Sequence, residues 1–311
     1  MKKFYPLLCS ILILTALFSC KNEPIFYGID EEINLEDPVV LGNVYTVTEA
    51  GDKLYAANGK IFSKKSSDTR NWAEEPELDG FIIRTASDST YLYALNSENI
   101  LYSSPLGESL SWVKTGEAVL ELFDNNALNT SDKKAFAVKA DAVYELADGN
   151  IASAISSGGA SKDSLTAEFI NGQTFFSTSI QFTSDREGFL YRIASNGIEY
   201  STDNSTWNLI QITIESPMSL EFYKSGTASS LLAGTKTGIV QIPLAESIPS
   251  STGTAVPGSN ADSCFGKSEI PSIFAYPFGQ GIVYTASLKP EDTKSTKFWA
   301  YYPSRDNWNL E

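Results

Sequence analysis

Histidine is absent from this chain of 311 residues. That zero excludes Ser-His-Asp and Cys-His catalysis, His-based zinc sites and an imidazole pH switch. Cysteine is scarce too, at Cys9, Cys20 and Cys264. Two of the three fall in the first twenty residues, so Cys264 stands alone in the body of the chain and no disulfide can form there. Basic residues are outnumbered, 23 Lys and Arg against 38 Asp and Glu, for a net charge of −15. No run of Lys or Arg interrupts that acidity, which argues against nucleic acid and anionic lipid headgroups as partners. The acids are dispersed except over residues 30–37 and 74–79. Neither cluster has calcium-loop spacing, and both read as solvated loop surface. No metal or cofactor is expected. Beyond the N-terminus no apolar run approaches membrane-spanning length, and helical periodicity is missing, so almost no helix is expected.

At the N-terminus, Lys2 and Lys3 precede an apolar run over residues 7–18, and Leu17-Phe18-Ser19-Cys20 closes it. A basic start, an apolar stretch and a small residue before the cut define an export signal. With the cut just before a cysteine, the segment resembles a bacterial lipoprotein signal with its lipobox, Phe18 being bulkier than usual at its place. The resemblance implies that residues 1–19 are removed and that Cys20 becomes the acylated first residue. Each buried acyl methylene contributes roughly 0.8 kcal/mol, so a multiply acylated cysteine holds a domain to a membrane durably. The expected location is a bacterial cell envelope. The outer membrane is favoured over the inner, because Lys21 and not aspartate follows Cys20.

After a lipidated linker over residues 20–43, one unit recurs over residues 44–311. The clearest copy, residues 91–112, runs YLYALNSENILYSSPLGESLSW: an apolar strand, a polar turn, a second strand and a loop closing on Trp112. Its anchor, Tyr93, aligns with Tyr55, Phe136, Tyr191, Leu232 and Tyr284, at intervals of 38 to 55 residues. An apolar strand precedes each anchor strand, and several units close on tryptophan, at Trp72, Trp112, Trp207 and Trp308. Short antiparallel strands between Asn, Gly and Asp turns, about four per repeat, are the content of one β-propeller blade. The expected fold is all-β, a propeller of six four-stranded blades. Seven blades would need a hidden one in the long gap over residues 151–184. Residues 156–164 and 246–268 read as loops, the second between the fifth and sixth blades.

The strand, polar hairpin and tryptophan resemble the Asp-box repeats of sialidase-like bacterial propellers. The nearest copy is Ser201-Thr202-Asp203-Asn204-Ser205-Thr206-Trp207, one residue short and without the motif's glycine. In that family the acid caps the hairpin's amides and the indole packs between sheets, so the resemblance implies a structural frame. A sialidase would also need an arginine triad, and of five arginines Arg70, Arg186 and Arg305 fall in predicted turns. Sialidase activity is not expected.

The innermost strands of a propeller line its central channel, and one pattern recurs there. Glu121, Glu168 and Glu221 each precede two apolar residues, with Arg84 at the matching place in the second repeat and Tyr45 in the first. Aligned, three carboxylates and one guanidinium face a common axis and form a candidate ligand-binding site. Trp299 and Tyr301 share one strand face, where aromatics stack on sugars or pack blades together. The function expected is a lipid-anchored, non-catalytic binding or scaffolding module for an envelope protein or a glycan. A glycan hydrolase using the channel carboxylates, or a sensor of a small ligand or cation, are the alternatives.

Overall fold

The computed structural model describes residues 39–125, 132–157, 166–170, 173–177, 182–185, 187–210, 214, 216–249, 253–265, 267–276, 281–289 and 291–311. The expected signal, Cys20 and the acidic stretch 30–37 lie outside the described residues. Residues 39–311 form one unit. Its first blade holds β1 (Thr46–Ala50), β2 (Lys53–Ala57), β3 (Ile61–Lys65) and β4 (Ala73–Glu74), and its second β5 (Ile82–Ser87), β6 (Tyr91–Asn96), β7 (Ile100–Pro105) and β8 (Val113–Ala118). The third is β9 (Glu121–Asp124), β10 (Ala135–Val138), β11 (Ala142–Ala147) and β12 (Asn150–Ser157). A two-stranded pair follows, β13 (Thr166–Ile170) with β14 (Gln173–Ser177). The fourth blade is β15 (Phe182–Ser184), β16 (Leu190–Ala194), β17 (Gly197–Ser201) and β18 (Asn208–Leu209). In the fifth, β19 (Ser219–Ser225), β20 (Ala228–Thr235), β21 (Gly238–Ala245) and β22 (Ile248–Pro249) pair in order, and β23 (Thr254–Ala255) adds to β21. The sixth is β24 (Glu269–Tyr276), β25 (Ile282–Lys289), β26 (Asp292–Tyr302) and β27 (Asn307–Leu310).

The six four-stranded sheets match the six blades expected. The pair β13–β14 falls in the gap that the sequence marks for a seventh, with β13 beside β9 and β15. Two details of the reading change. A short helix, α1 (Ala261–Phe265), interrupts the stretch taken as a loop before the sixth blade, because Ala261 and Phe265 bury themselves against Trp299 and Trp308. Of the loop expected at 156–164, residues 158–164 lie outside the described residues, while β12 runs to Ser157.

All six anchors sit on the second strand of their blade. That strand pairs on both edges and is covered on both faces by neighbouring blades. Leu54, Tyr55, Ala56 and Ala57 are therefore all buried, as are Leu92 to Leu95 and Ala135 to Val138. Burial on both faces replaces alternation with a continuous apolar run, which is why these strands stand out in the sequence. The outermost strands are short or exposed, as β4, β8 and β18 show, and short polar edges discourage further strand pairing. Trp299 and Tyr301 pack toward the fifth blade, while Phe298, Ala300 and Tyr302 pack toward the first. Their role is blade packing.

Each sheet is built from consecutive strands, so among the described residues no strand is shared between the ends of the ring. Side chains close it instead. Lys64 on β3 and Glu311 after β27 form an ion pair of 3.0 Å with both side chains fully buried. Trp72 Nε1 donates to Glu311 Oε2 at 2.8 Å and Tyr302 Oη to Oε1 at 2.7 Å. The Lys64 ammonium lies 4.9 to 5.9 Å from the ring centres of Tyr284, Trp72 and Tyr302. Burial lowers the Lys64 pKa, and the Glu311 carboxylate beside it opposes the shift.

Candidate functional site

The innermost strands run in ring order β1, β5, β9, β13, β15, β19 and β24, and polar side chains stitch several successive members together. Thr48 Oγ1 donates to Thr85 O at 2.9 Å, and Thr46 Oγ1 accepts from Thr85 N at 3.0 Å, joining β1 to β5. Asp124 Oδ2 accepts from Ser87 N at 3.2 Å, joining β9 to β5. Phe222 N donates to Thr183 Oγ1 at 3.3 Å, and Ser219 Oγ to Ile270 O at 2.9 Å. Ser272 Oγ donates to Val44 O at 3.1 Å, joining β24 to the chain just before β1.

Inside lies a cavity of about 300 Å³. Three of the four expected site residues, Arg84, Glu121 and Glu221, line it, together with Tyr45. Arg84 reaches it through a bulge. Ile82 pairs with Asn96 and Arg84 with Leu95, so Ile83 is an extra residue that re-aims the side chain after it. Arg84 Nε donates to Glu121 Oε1 at 2.8 Å, while Leu122 N donates to the same oxygen at 3.1 Å and the guanidinium also donates to Ile83 O. The Glu121 side chain is 5% exposed and that of Arg84 24%. Glu221 is half-buried on β19. Glu168 takes a different place. It too lies on an inner strand, β13, opposite Phe175 on β14, but in the extra strand pair and not in the fourth blade, whose innermost strand is β15. Its side chain lies outside the described residues.

The cavity also brings in groups that the pattern of glutamates does not reveal. Asn43 lines it with a buried Oδ1 that has no hydrogen-bond partner among the described residues. At the far ends of β1, β5 and β9, Lys133 Nζ donates to Glu49 O at 2.6 Å and lies 3.7 Å from Asp124 Oδ2. Burial raises the Glu49 pKa, Lys133 counters it and Asp124 adds to it.

A second set missed in the sequence caps the hairpin between first and second strands. Asp88 Oδ1 accepts from the amides of Thr90 and Tyr91, and Oδ2 from the Tyr93 hydroxyl at 2.7 Å. Asp185 Oδ1 accepts from the amides of Glu187, Gly188 and Phe189. The signal was a Ser-Asp pair, Ser87-Asp88 and Ser184-Asp185, a few residues before the anchor. No group of three His, Cys, Asp or Glu among the described residues could hold a metal ion. Cys264 is a free, half-buried thiol whose pKa burial raises.

A ring of four-stranded antiparallel sheets around a polar central cavity defines a β-propeller. Solved structures with the same fold include Sqt1 of Saccharomyces cerevisiae, 11% identical over 88% of this chain and 85% of that one, TM-score 0.52. BamB of Moraxella catarrhalis is 12% identical over 83% of this chain and 85% of that one, TM-score 0.50. At such identity the likeness shows the fold alone. The sequence gives the lineage. The model of the TP013X lipoprotein family matches residues 6–197, and the chain belongs to that family. Two uncharacterized lipoproteins of Treponema pallidum (strain Nichols) are similar, one 28% identical over 45% of this chain and 33% of its own length. The other is 32% identical over 39% of this chain and 30% of its own length. The chain thus spans about a third of the length of these relatives.

Proposed function

We propose that this lipoprotein is a β-propeller held to the outer membrane through an acylated Cys20, acting as a non-catalytic binding or scaffolding module for an envelope protein or glycan. The observation that carries the reading is how the cavity's charges are used. Glu121 Oε1 already accepts from Arg84 Nε and Leu122 N, so the carboxylate ties two blades together. The inner strands are stitched by threonine and serine hydroxyls in the same way, which makes the centre a rigid hub. A rigid disc with loops at both ends suits presentation of a binding surface. The turn at Ser201–Trp207 is read as a degenerate Asp box. In support, Asp203 Oδ1 accepts from Ser205 N at 2.8 Å and Thr206 N at 2.7 Å, and these bonds hold its carboxyl well below the usual range.

A second reading has one specific observation in its favour. Asn43 Oδ1, a buried acceptor without a partner, and Glu221 line the same cavity, which suits a small ligand carrying N–H donors. Affinity purification of the intact lipoprotein in mild detergent tests the leading reading. A partner that stays bound to Glu121→Gln and Glu221→Gln supports it. Turnover of a glycan that either substitution abolishes, without loss of folding, overturns it. A small amine that raises the melting temperature, with no macromolecular partner recovered, favours the second reading.

A further inference from the structure

We propose that an apolar groove along the first and second blades docks a segment of a partner protein in which lysine or arginine residues accompany apolar ones. The inference rests on the reading of this chain as a binding module, and gives that module a place and a partner chemistry. The groove, about 660 Å³, lies outside the central cavity, between the β2–β3 hairpin and the loop leading into β5.

Its apolar wall carries Val39, Leu41 and Phe81, which are 48%, 67% and 48% exposed. Single apolar side chains are ordinary on a protein surface, so the grouping is what carries weight. Among the described residues, the other large apolar side chains exposed to a comparable degree are Val113, Ile155, Leu209 and Ile248. They sit one to a blade, on β8, β12, β18 and β22. Three of the seven therefore share a single groove.

The wall is also fixed in place. Gly59 and Ile82 exchange backbone hydrogen bonds of 2.8 and 2.9 Å, which pins the hairpin tip to the start of β5. Gly59 has φ +98°, and a Cβ there would meet the Phe81 ring at Cδ2, 2.8 Å away. Phe81 packs edge-on against Tyr45, ring centres 5.9 Å apart, and Asn58 Nδ2 donates to Leu41 O at 2.7 Å. Apolar side chains held outward on an ordered backbone lose little freedom when a partner covers them.

The rim decides the sign of the partner. Glu74 ends the two-residue β4, Glu75 and Glu77 follow it, and Lys60 is the only basic residue lining the groove among the described residues. Lys60 Nζ is bonded to Glu74 Oε1 at 2.6 Å, and the Glu75 side chain, 10% exposed, lies 3.7 Å from Lys53 Nζ, so the excess negative charge of the rim is carried by Glu77. Glu77 is exposed. An acidic segment would be repelled along this rim, and a basic one attracted. Beside Glu77 the groove offers an apolar wall, which suits a segment carrying apolar side chains next to a basic one.

The test uses the full-length lipoprotein in zwitterionic lipid nanodiscs and a synthetic peptide alternating lysine with leucine and phenylalanine. Control peptides carry glutamate for lysine, or serine for the apolar residues, and protein-free nanodiscs serve as the blank. Binding of the basic apolar peptide alone, weakened about tenfold by Leu41→Ser and by Glu77→Lys but unchanged by Val113→Ser, supports the proposal. Both substitutions are at exposed positions, and a melting curve on each confirms the fold. Equal binding of either control peptide, or affinity indifferent to both groove substitutions, overturns it. A native partner that is recovered and stays bound to both groove variants overturns the groove and leaves the module reading standing. Recovery of no partner, with turnover lost in Glu121→Gln, overturns that reading itself.

Discussion

Replacing Lys64 by methionine should destabilise the protein far more than its single position suggests, because it opens the contact that closes the ring. At 3.0 Å, two unit charges attract by about 5–6 kcal/mol at an effective dielectric of about 20. Desolvation of the two ions, several kcal/mol each, cancels most of that, so the net worth of the intact pair is small. Removing one partner is a different matter. The Glu311 carboxylate would stay buried with only the Trp72 N–H and the Tyr302 hydroxyl to hold it. The expected cost is about 3–5 kcal/mol. In a chain of this size that is a fall of roughly 5–8 °C in melting temperature.

The assay is thermal and urea unfolding of the full chain for wild type, Lys64→Met, Glu311→Gln and the double variant. The double variant removes both charges, keeps a hydrogen-bonding amide for Trp72 and Tyr302, and should recover most of the loss. Lys60→Met, in the exposed pair with Glu74, is the control and should shift nothing measurable. Hydrogen exchange should rise in β3 and β27 of Lys64→Met before it rises in β10. A shift below about 2 °C for Lys64→Met, or a double variant as unstable as the single, would show that closure does not depend on this pair.

Asp88→Ala should cost about 2–3 kcal/mol by chemical denaturation, since it strands two amides and the buried Tyr93 hydroxyl at once. Gly234→Ala should cost about 1–3 kcal/mol, because its Cβ would meet Ile270 O at 2.5 Å, backbone that cannot give way. Glu49→Gln should raise the melting temperature at pH 7. Burial raises the folded-state pKa of Glu49, so its carboxylate opposes folding above that pKa, and the gain should vanish as pH falls below the unfolded value near 4. Asp203 runs the other way. Its folded-state pKa is depressed, so Asp203→Ala should lose stability at neutral pH, and the difference from wild type should disappear as acid protonates the carboxyl.

What the sequence revealed and what it hid divide along one physical line. The anchors were legible because strands covered on both faces turn burial into uninterrupted apolar runs, as at Leu92 to Leu95. Arg84 and Glu121 were legible because equivalent places in a repeat face the same axis, and the structure puts them 2.8 Å apart. Glu168 falls on an inner strand of an extra pair, β13–β14, which fills the interval before the fourth anchor and left no anchor of its own in the repeat. The Lys64–Glu311 closure left no local trace. Its partners lie 247 residues apart, and Lys64 reads as one polar residue at the end of a strand.

The groove was hidden for a further reason. Phe81 opens Phe-Ile-Ile, and by pattern it belongs to an inner strand running over residues 81–86. The strand instead starts at Ile82, since Gly59 pairs with Ile82 at the edge of the blade and leaves Phe81 outside it. An apolar residue reads the same in sequence whether the next blade covers it or only water does. Which of the two holds is decided by neighbours on another hairpin, here Gly59 and Asn58, whose contacts no periodicity encodes. Frame residues in a propeller are therefore visible as a repeat. The groove that we propose as a docking site lies where one copy departs from it, over residues 74–81.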